Sequence, residues 1–334
     1  MSAVNVSIVG GTGNIGKSIV NALLSSENQD FRITALVRPQ SIEKPEVVDI
    51  RSRGIRTTAL DLGGSEHDLV KALEDTHVLI VCLPPRHTSQ EIKLIDAASK
   101  AGVKRFVPSA WAVTAPPNDL MKRDWKEAVY AHMKKVRLPY TIIDTGVWHE
   151  VVIPRVPSGK LDHAALMGRT FLVGQGETPC ATTAIQDIGR FVASIIVDPR
   201  TLNRYVFAYG EHVTQNQYIA LAREITGEAV PYIPVSQEKV VSVAHQPETA
   251  DFQVWQKVIV QYLYNNWVKG DSETSYAKYL GYLDAHDLYP EFKVKPLSES
   301  MREAFSGGED FAAQVGDDSF WVGLEKLLLE EEDR

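Results

Sequence analysis

Residues 4–20 read VNVSIVGGTGNIGKSIV, and this stretch decides the fold. A short apolar run (Val4, Val6, Ile8, Val9) is followed at once by Gly10, Gly11, Gly13 and Gly16. Ile15, Ile19, Val20, Leu23 and Leu24 then recur at helical spacing. Strand, glycine turn and helix start, in that order, make a phosphate cradle. Gly10 permits a tight turn, Gly13 lets a pyrophosphate approach the backbone, and Gly16 lets the helix pack closely on the strand. The unpaired N–H groups and the positive end of the helix dipole then face the phosphate. Thr12, Asn14 and Ile15 fall beside it through proximity alone.

Two phosphate motifs overlap here. Gly10-x-x-Gly13-x-x-Gly16 is a dinucleotide fingerprint, while Gly11-x-x-x-x-Gly16-Lys17-Ser18 also satisfies the P-loop pattern. A P-loop enzyme needs an Asp at the end of a neighbouring strand to hold magnesium, and Asp144 in YTIID is available for that role. The next strand, 32–37, decides between them, because it ends in Arg38 rather than in an acid. An Asp or Glu there accepts from the 2′-hydroxyl of NAD, whereas an Arg accommodates the 2′-phosphate of NADP. The pattern favours NADP(H).

The 334 residues suggest two domains, or one large domain with an appended lobe. Hydrophobic residues make up 44% and charged ones 23%, an ordinary balance for a globular chain, and no apolar run is long enough to span a bilayer. The first strand starts at residue 4, which leaves no room for a signal peptide, so a cytoplasmic protein is expected. Cys82 and Cys180 lack metal-ligand spacing and the histidines form no cluster, so no metal is expected. A net charge of −8 argues against nucleic acid as a partner.

Strand-like runs at 4–9, 32–37, 56–60, 78–83, 105–108 and 140–144 alternate with helical patterns at 14–25, 65–73, 89–101 and 118–136. Pro45 interrupts the intervening stretch 40–53. Such alternation predicts an α/β fold of Rossmann type, a doubly wound parallel sheet covered on both faces, with ligand at the carboxyl ends of the strands. That rule selects 10–16, Arg38, Asp61 and Leu62, 83–86, 109–111 and 145–149. Asp61 and Leu62 would border the adenine. Leu83, Pro84 and Arg86 would pass near the cofactor, with Arg86 available to phosphate.

Residues 1–150 are expected to form the dinucleotide domain and 151–334 a smaller α+β substrate lobe, with part of 181–210 packing back onto the first. Strands are expected at 171–176 and 204–209, and helices at 185–196 and 214–226, the latter capped by Thr214. The segment 251–269 is rich in aromatics: Phe252, Trp255, Tyr262, Tyr264 and Trp267. It reads as core, as the lining of an apolar pocket, or as a subunit contact. A homodimer is left open.

The motifs GGTGNIG, ALVRP, LDLGGSEHDLVKAL, VKRFVPSAW, LPYTIIDTGVW, AIQDIGRFVASIIVDP and GYLDAHDLYPEF, in this order, resemble the isoflavone-reductase-like and NmrA-like branch of the atypical short-chain dehydrogenase/reductases. The resemblance covers nearly the whole chain and implies an NADPH-dependent reductase of a small, often aromatic or phenolic, substrate. It implies a proton-handling lysine 13 residues ahead of Pro139, which is Lys126. Desolvation beside a cationic nicotinamide would lower its pKa and suit it to acid–base work. Read without the family, Lys126 is one cation among Lys122, Arg123, Lys134 and Lys135.

Ser109 reads equally as a strand-end cap and as a contact to substrate or nicotinamide ribose. Trp111, Trp148 and His149 are candidate substrate contacts. Two departures stand out. The branch carries PSEFG where this chain has Pro108-Ser109-Ala110-Trp111-Ala112, and Lys122 four residues before Lys126 rules out a YxxxK pair. Two other functions fit the same scaffold: a dinucleotide-sensing regulator without catalysis, and a redox-neutral isomerase or dehydratase.

Overall fold

The computed structural model describes residues 3–84, 87–247, 254–308 and 315–329. Its first half alternates β1 (Val4–Val9), α1 (Asn14–Leu24), β2 (Phe31–Val37), α2 (Pro45–Ser52), β3 (Arg56–Ala59), α3 (Glu66–Ala72), β4 (Val78–Val81), α4 (Thr88–Ala101), β5 (Arg105–Val107), α5 (Met121–Lys135) and β6 (Thr141–Asp144). Local chemistry sets the boundaries. Ser65 caps α3 by accepting the Asp68 N–H at 3.2 Å, and Gly102 closes α4 in the left-handed region at φ 73°. Pro45 does not break its segment as expected. It sits at the first position of α2, where its missing N–H costs nothing and its fixed φ suits the helix.

The second half contributes β7 (Val147–Trp148), α6 (His149–Val152), β8 (Phe171–Val173), β9 (Cys180–Thr183), α7 (Ile185–Ile195), β10 (Arg204–Phe207), β11 (Glu211–Val213), α8 (Gln215–Thr226), β12 (Ile233–Val235), α9 (Gln237–His245), α10 (Val254–Leu263), α11 (Thr274–Tyr279), β13 (Leu283–Asp284), α12 (Ala285–Leu288), α13 (Leu297–Phe305) and α14 (Asp318–Leu329). Thr214 and Gln217 form a full capping box at the start of α8.

The main sheet runs β3-β2-β1-β4-β5, all parallel. A parallel bridge between Phe106 and Tyr140 continues it to β6, and β10 and β13 follow in the same direction. The order reverses between β1 and β4, which opens the crevice where this class of sheet binds ligand. Alternation places Val78 and Ile80 in one apolar cluster with α1 and α7, and Leu79 and Val81 in another with α4 and α5. The expected cover on both faces is incomplete at one corner. Arg32, Thr34, Arg56 and Thr58 face an open groove of about 980 Å³, because polar residues alternate on that face of β2 and β3.

α7 packs on α1 through a close approach. Ser18 Oγ donates to the Ile185 carbonyl at 2.5 Å and accepts the Gly189 N–H at 3.1 Å. A Cβ on Gly189 would collide with the Ser18 carbonyl. Chain from beyond residue 180 therefore completes the layer begun by the first 150 residues. Helices α6, α8, α9, α10, α13 and α14, with the β11-β9-β7 sheet and the β8–β12 pair, enclose a separate apolar core. No described helix is long and apolar enough to cross a membrane.

Candidate active site

The glycine turn sits at the switch point. Gly10 has φ 79°, and a Cβ there would strike the Cys82 carbonyl at the end of β4. A Cβ on Gly16 would strike the Gly10 carbonyl and the Gly11 backbone. These two glycines are demanded by the protein's own packing. Gly13 is not: it is exposed, and a Cβ there meets only the Gly10 carbonyl at 3.5 Å. Gly13 is also the N-cap of α1 and offers no side-chain cap, so the first-turn N–H groups have no intrahelical partner. The space above the helix start is open, and its unpaired N–H groups suit an anion such as a pyrophosphate. The two classes of glycine have different expected phenotypes. Gly16→Val loses the roughly 1–3 kcal/mol of an overpacked core or more. Gly13→Val melts like the wild type yet no longer binds dinucleotide, which thermal melts and NADPH titration measure together.

The P-loop alternative fails on geometry. Ser18 is buried against α7 rather than open to a metal, and Asp144 is engaged by Arg123 and Tyr282. Arg38 follows β2 and is exposed, and no hydrogen bond or ion pair engages its side chain among the described residues. A 2′-phosphate is the natural partner for such a cation at that strand end. Asp61 is exposed and accepts the Gly63 N–H at 2.9 Å, with Leu62 beside it. Leu83 and Pro84 lead out of β4, and Arg86 lies outside the described residues.

The turn after β5 gathers the titratable groups. Ser109 Oγ donates to the Leu83 carbonyl at 2.7 Å, linking the two strand ends. The Ser109 N–H donates to Glu91 Oε1 at 2.8 Å. Trp111 turns the chain at φ 41°, and its indole N–H donates to the Val81 carbonyl at 2.9 Å. Lys126 reaches this turn from α5 and donates to the Ala110 carbonyl. Its side chain is buried, and that burial, with Lys122 and Arg123 beside it, brings the ammonium down to about 7 against the pull of Asp144 and Glu91. Burial pushes the Glu91 carboxyl up to about 7, opposed by the Ser109 amide and Lys126. Two buried groups of opposite type thus titrate near neutrality at one strand end, a pattern typical of reactive sites.

Below the turn lies a cavity of about 210 Å³. Trp111, Val113, Trp148, Val152, Phe171 and Ile259 give it an apolar lining. Of the aromatic segment, Trp255, Tyr262 and Trp267 line the cavity, Tyr264 packs on His245, and Phe252 lies outside the described residues. Lys122 reaches the cavity and holds its ammonium 5.3 Å from the Tyr262 ring centre. Lys126 does not line it, being one residue behind the wall at Ala110. His149 is not brought in either. It is buried beneath α13 with Nδ1 2.8 Å from Ser300 Oγ, and burial, reinforced by Lys295, holds its pKa down to about 3.

The NmrA-like family profile matches residues 3–299. The chain is 38% identical over 314 residues to the asnovolin J 5′,6′-dehydrogenase of Aspergillus novofumigatus, covering 91% of this chain and 96% of that one. The chain belongs to the NmrA-like family. Its fold is shared with crystal structures of pinoresinol-lariciresinol and phenylcoumaran benzylic ether reductases, at a TM-score of 0.76, 23% identity, and coverage of 91% and 100%. A leucoanthocyanidin reductase from Vitis vinifera, solved in binary complex with NADPH, superposes with a TM-score of 0.74 at 19% identity, covering 90% and 99%. With dehydrogenases and reductases as its relatives, this NmrA-like chain is an oxidoreductase.

Several residues of this family member escape a reading of the sequence alone. Glu91 lies on α4, where only its burial sets it apart from other helical carboxylates. Arg123 donates to Asp144 at 3.2 Å and to Tyr282 at 2.8 Å, and Tyr282 donates to Asp144 at 2.5 Å. Residues this far apart in sequence carry no local signal of their contact. Burial would lower the Arg123 pKa, but Tyr282 and Asp144 more than offset it and hold the guanidinium charged. Among the described residues, no group of His, Cys, Asp and Glu gathers as a metal site would require.

Proposed function

We propose that the chain is an NADPH-dependent reductase of a small, largely apolar metabolite, with Lys126 supplying the proton. The observation that carries this reading is the Ser109–Trp111 turn. One side of it receives the buried Lys126, its far end walls the apolar cavity, and its start is tied to the strand end beside the glycine cradle. The α1 N-terminus binds the pyrophosphate and Arg38 the 2′-phosphate. NADPH, when bound, supplies the hydride. The aromatic and aliphatic lining holds the substrate and excludes water, which strengthens every charge interaction at the turn. Lys126 exchanges the Ala110 carbonyl for a water or substrate oxygen and gives up its proton there.

Cofactor preference tests the first half of this reading. Arg38→Ala weakens NADPH by about tenfold to a hundredfold, the usual worth of a charge-assisted contact, and leaves NADH unchanged. Fluorescence titration of both dinucleotides reads this. Equal binding of NADPH and NADH by the wild type would remove Arg38 from the site. Tight NADPH binding without consumption across aromatic enones, quinones and benzylic ethers would favour a dinucleotide sensor or a redox-neutral enzyme.

A further inference from the structure

In the cavity wall, the Asn266 side chain carries a buried oxygen with no hydrogen-bond partner among the described residues. Asn266 is only 4% exposed and lines the cavity beside Leu263 and Trp267. Its Oδ1 is buried without a partner, and among the described residues no hydrogen bond engages either end of the amide. Two other polar side chains at this wall are satisfied within the protein. Gln215 donates to the Phe171 carbonyl at 2.5 Å and accepts the Val173 N–H at 2.8 Å, and Arg169 is held by Glu325 at 2.5 Å and Asp318 at 2.7 Å. A buried unpaired amide is costly, so its presence in an apolar wall calls for a partner that the protein does not supply.

The backbone is arranged to place it there. Residues Tyr264–Lys269 form a π-helical turn that follows α10 and ends at Gly270, in the left-handed region at φ 71°. Wide turns of this kind are rare and cluster at functional positions. The turn sets Asn266 and Trp267 on the cavity beside Leu263 of α10, while Asn265 is drawn off to Asp271 at 3.3 Å.

We infer that Asn266 is the substrate's polar anchor and selects a ligand with an apolar ring body bearing a hydroxyl. An amide presents one acceptor and donors from a single plane, and a hydroxyl both gives and takes one hydrogen bond. A bare hydrocarbon leaves the amide unpaired, so the wall discriminates by the cost of that unpaired group. This rests on the reductase reading for the cavity's role as the substrate site.

The test uses 2-naphthol and naphthalene as probes, which differ by one hydroxyl, with the full-length protein and calorimetric titration. Wild type prefers 2-naphthol by tenfold or more beyond the ratio set by their transfer from water. Asn266→Leu, near the same size, brings that preference to within about twofold, and Asn266→Ala, which cannot overfill the cavity, does the same. Without ligand, Asn266→Leu melts above the wild type, since the unpaired amide is gone. NADPH affinity, measured separately, stays at the wild-type value in both variants. No preference in the wild type, or a preference that survives both substitutions, overturns the assignment. Loss of NADPH binding in the wild type would instead refute the reductase reading and leave the probe result standing on its own.

Discussion

Lys126→Met should cut turnover by orders of magnitude and stabilise the protein at once. The loss of a positioned proton donor is worth roughly 10²–10⁴ in kcat. NADPH affinity should stay near the wild-type value, because the cradle and Arg38 lie on other strand ends. The pH profile follows from the direction of the shift. Burial, with Lys122 and Arg123, brings the Lys126 ammonium to about 7, so the donor form is present below that value and lost above it. The wild-type rate should therefore fall as pH rises through about 7, and the residual rate of Lys126→Met should lack that limb. The stability gain has the same origin. Between about 7 and the ordinary 10.5 the unfolded chain holds a proton that the folded chain does not, so wild-type stability rises with pH across this window. Below about 7 the full cost is present, roughly a few kcal/mol. Methionine removes it, so the melting advantage of the variant should be largest in acid and shrink toward pH 10. Melts at pH 6 and pH 9.5 with matched salt decide this. A variant that loses both stability and NADPH binding would mark Lys126 as structural.

The sheet was legible because its signals are local. A parallel strand buried on both faces is an apolar run whatever surrounds it, and the β1 turn carries its glycines within seven positions, 10 to 16. The motif assigns those glycines separate roles, and the coordinates add what a side chain would meet at each: backbone in hard contact at Gly10 and Gly16, and only the Gly10 carbonyl, at 3.5 Å, at Gly13. Pro45 was misread because one proline marks both the end and the beginning of helices. Lys126 was reached through family spacing, while its depressed pKa depends on Lys122, Arg123, Asp144 and Glu91 meeting from three elements. His149 shows the opposite failure. Its place after β6 pointed toward the cleft, but α6 starts at that residue and turns the imidazole under Ser300. Two quoted motifs are one unit in space. Arg105 of VKRFVPSAW donates to the Ile195 and Asp198 carbonyls of AIQDIGRFVASIIVDP at 2.6 and 2.9 Å. That contact fastens the segment after α7 to the start of β5.

Asp144→Ala should be the most destabilising single change near the site. Asp144 is 1% exposed and accepts from both Arg123 and Tyr282. Deleting one member of a buried ion pair strands the other, which typically costs 3–5 kcal/mol. Here Glu127 still takes the Arg123 Nε–H at 2.7 Å, so a value toward the lower end, about 3 kcal/mol, is expected. Asp144→Asn keeps an acceptor for Tyr282 and should cost less. The change also reaches Lys126. Asp144 and Glu91 are the two groups that favour its ammonium, so removing one lowers its pKa further and moves the alkaline limb of the rate to lower pH. A double variant, Arg123→Met with Asp144→Leu, separates the two roles. It leaves no unpaired charge in the buried part of the site, since Glu127 is about a third exposed and keeps contact with water, so much of the lost stability should return. It also removes a cation that depresses Lys126 along with the anion that supports it, so the limb should move back toward the wild-type position. If the double variant stays as unstable as Asp144→Ala, the pair is held by packing around Tyr282 rather than by charge.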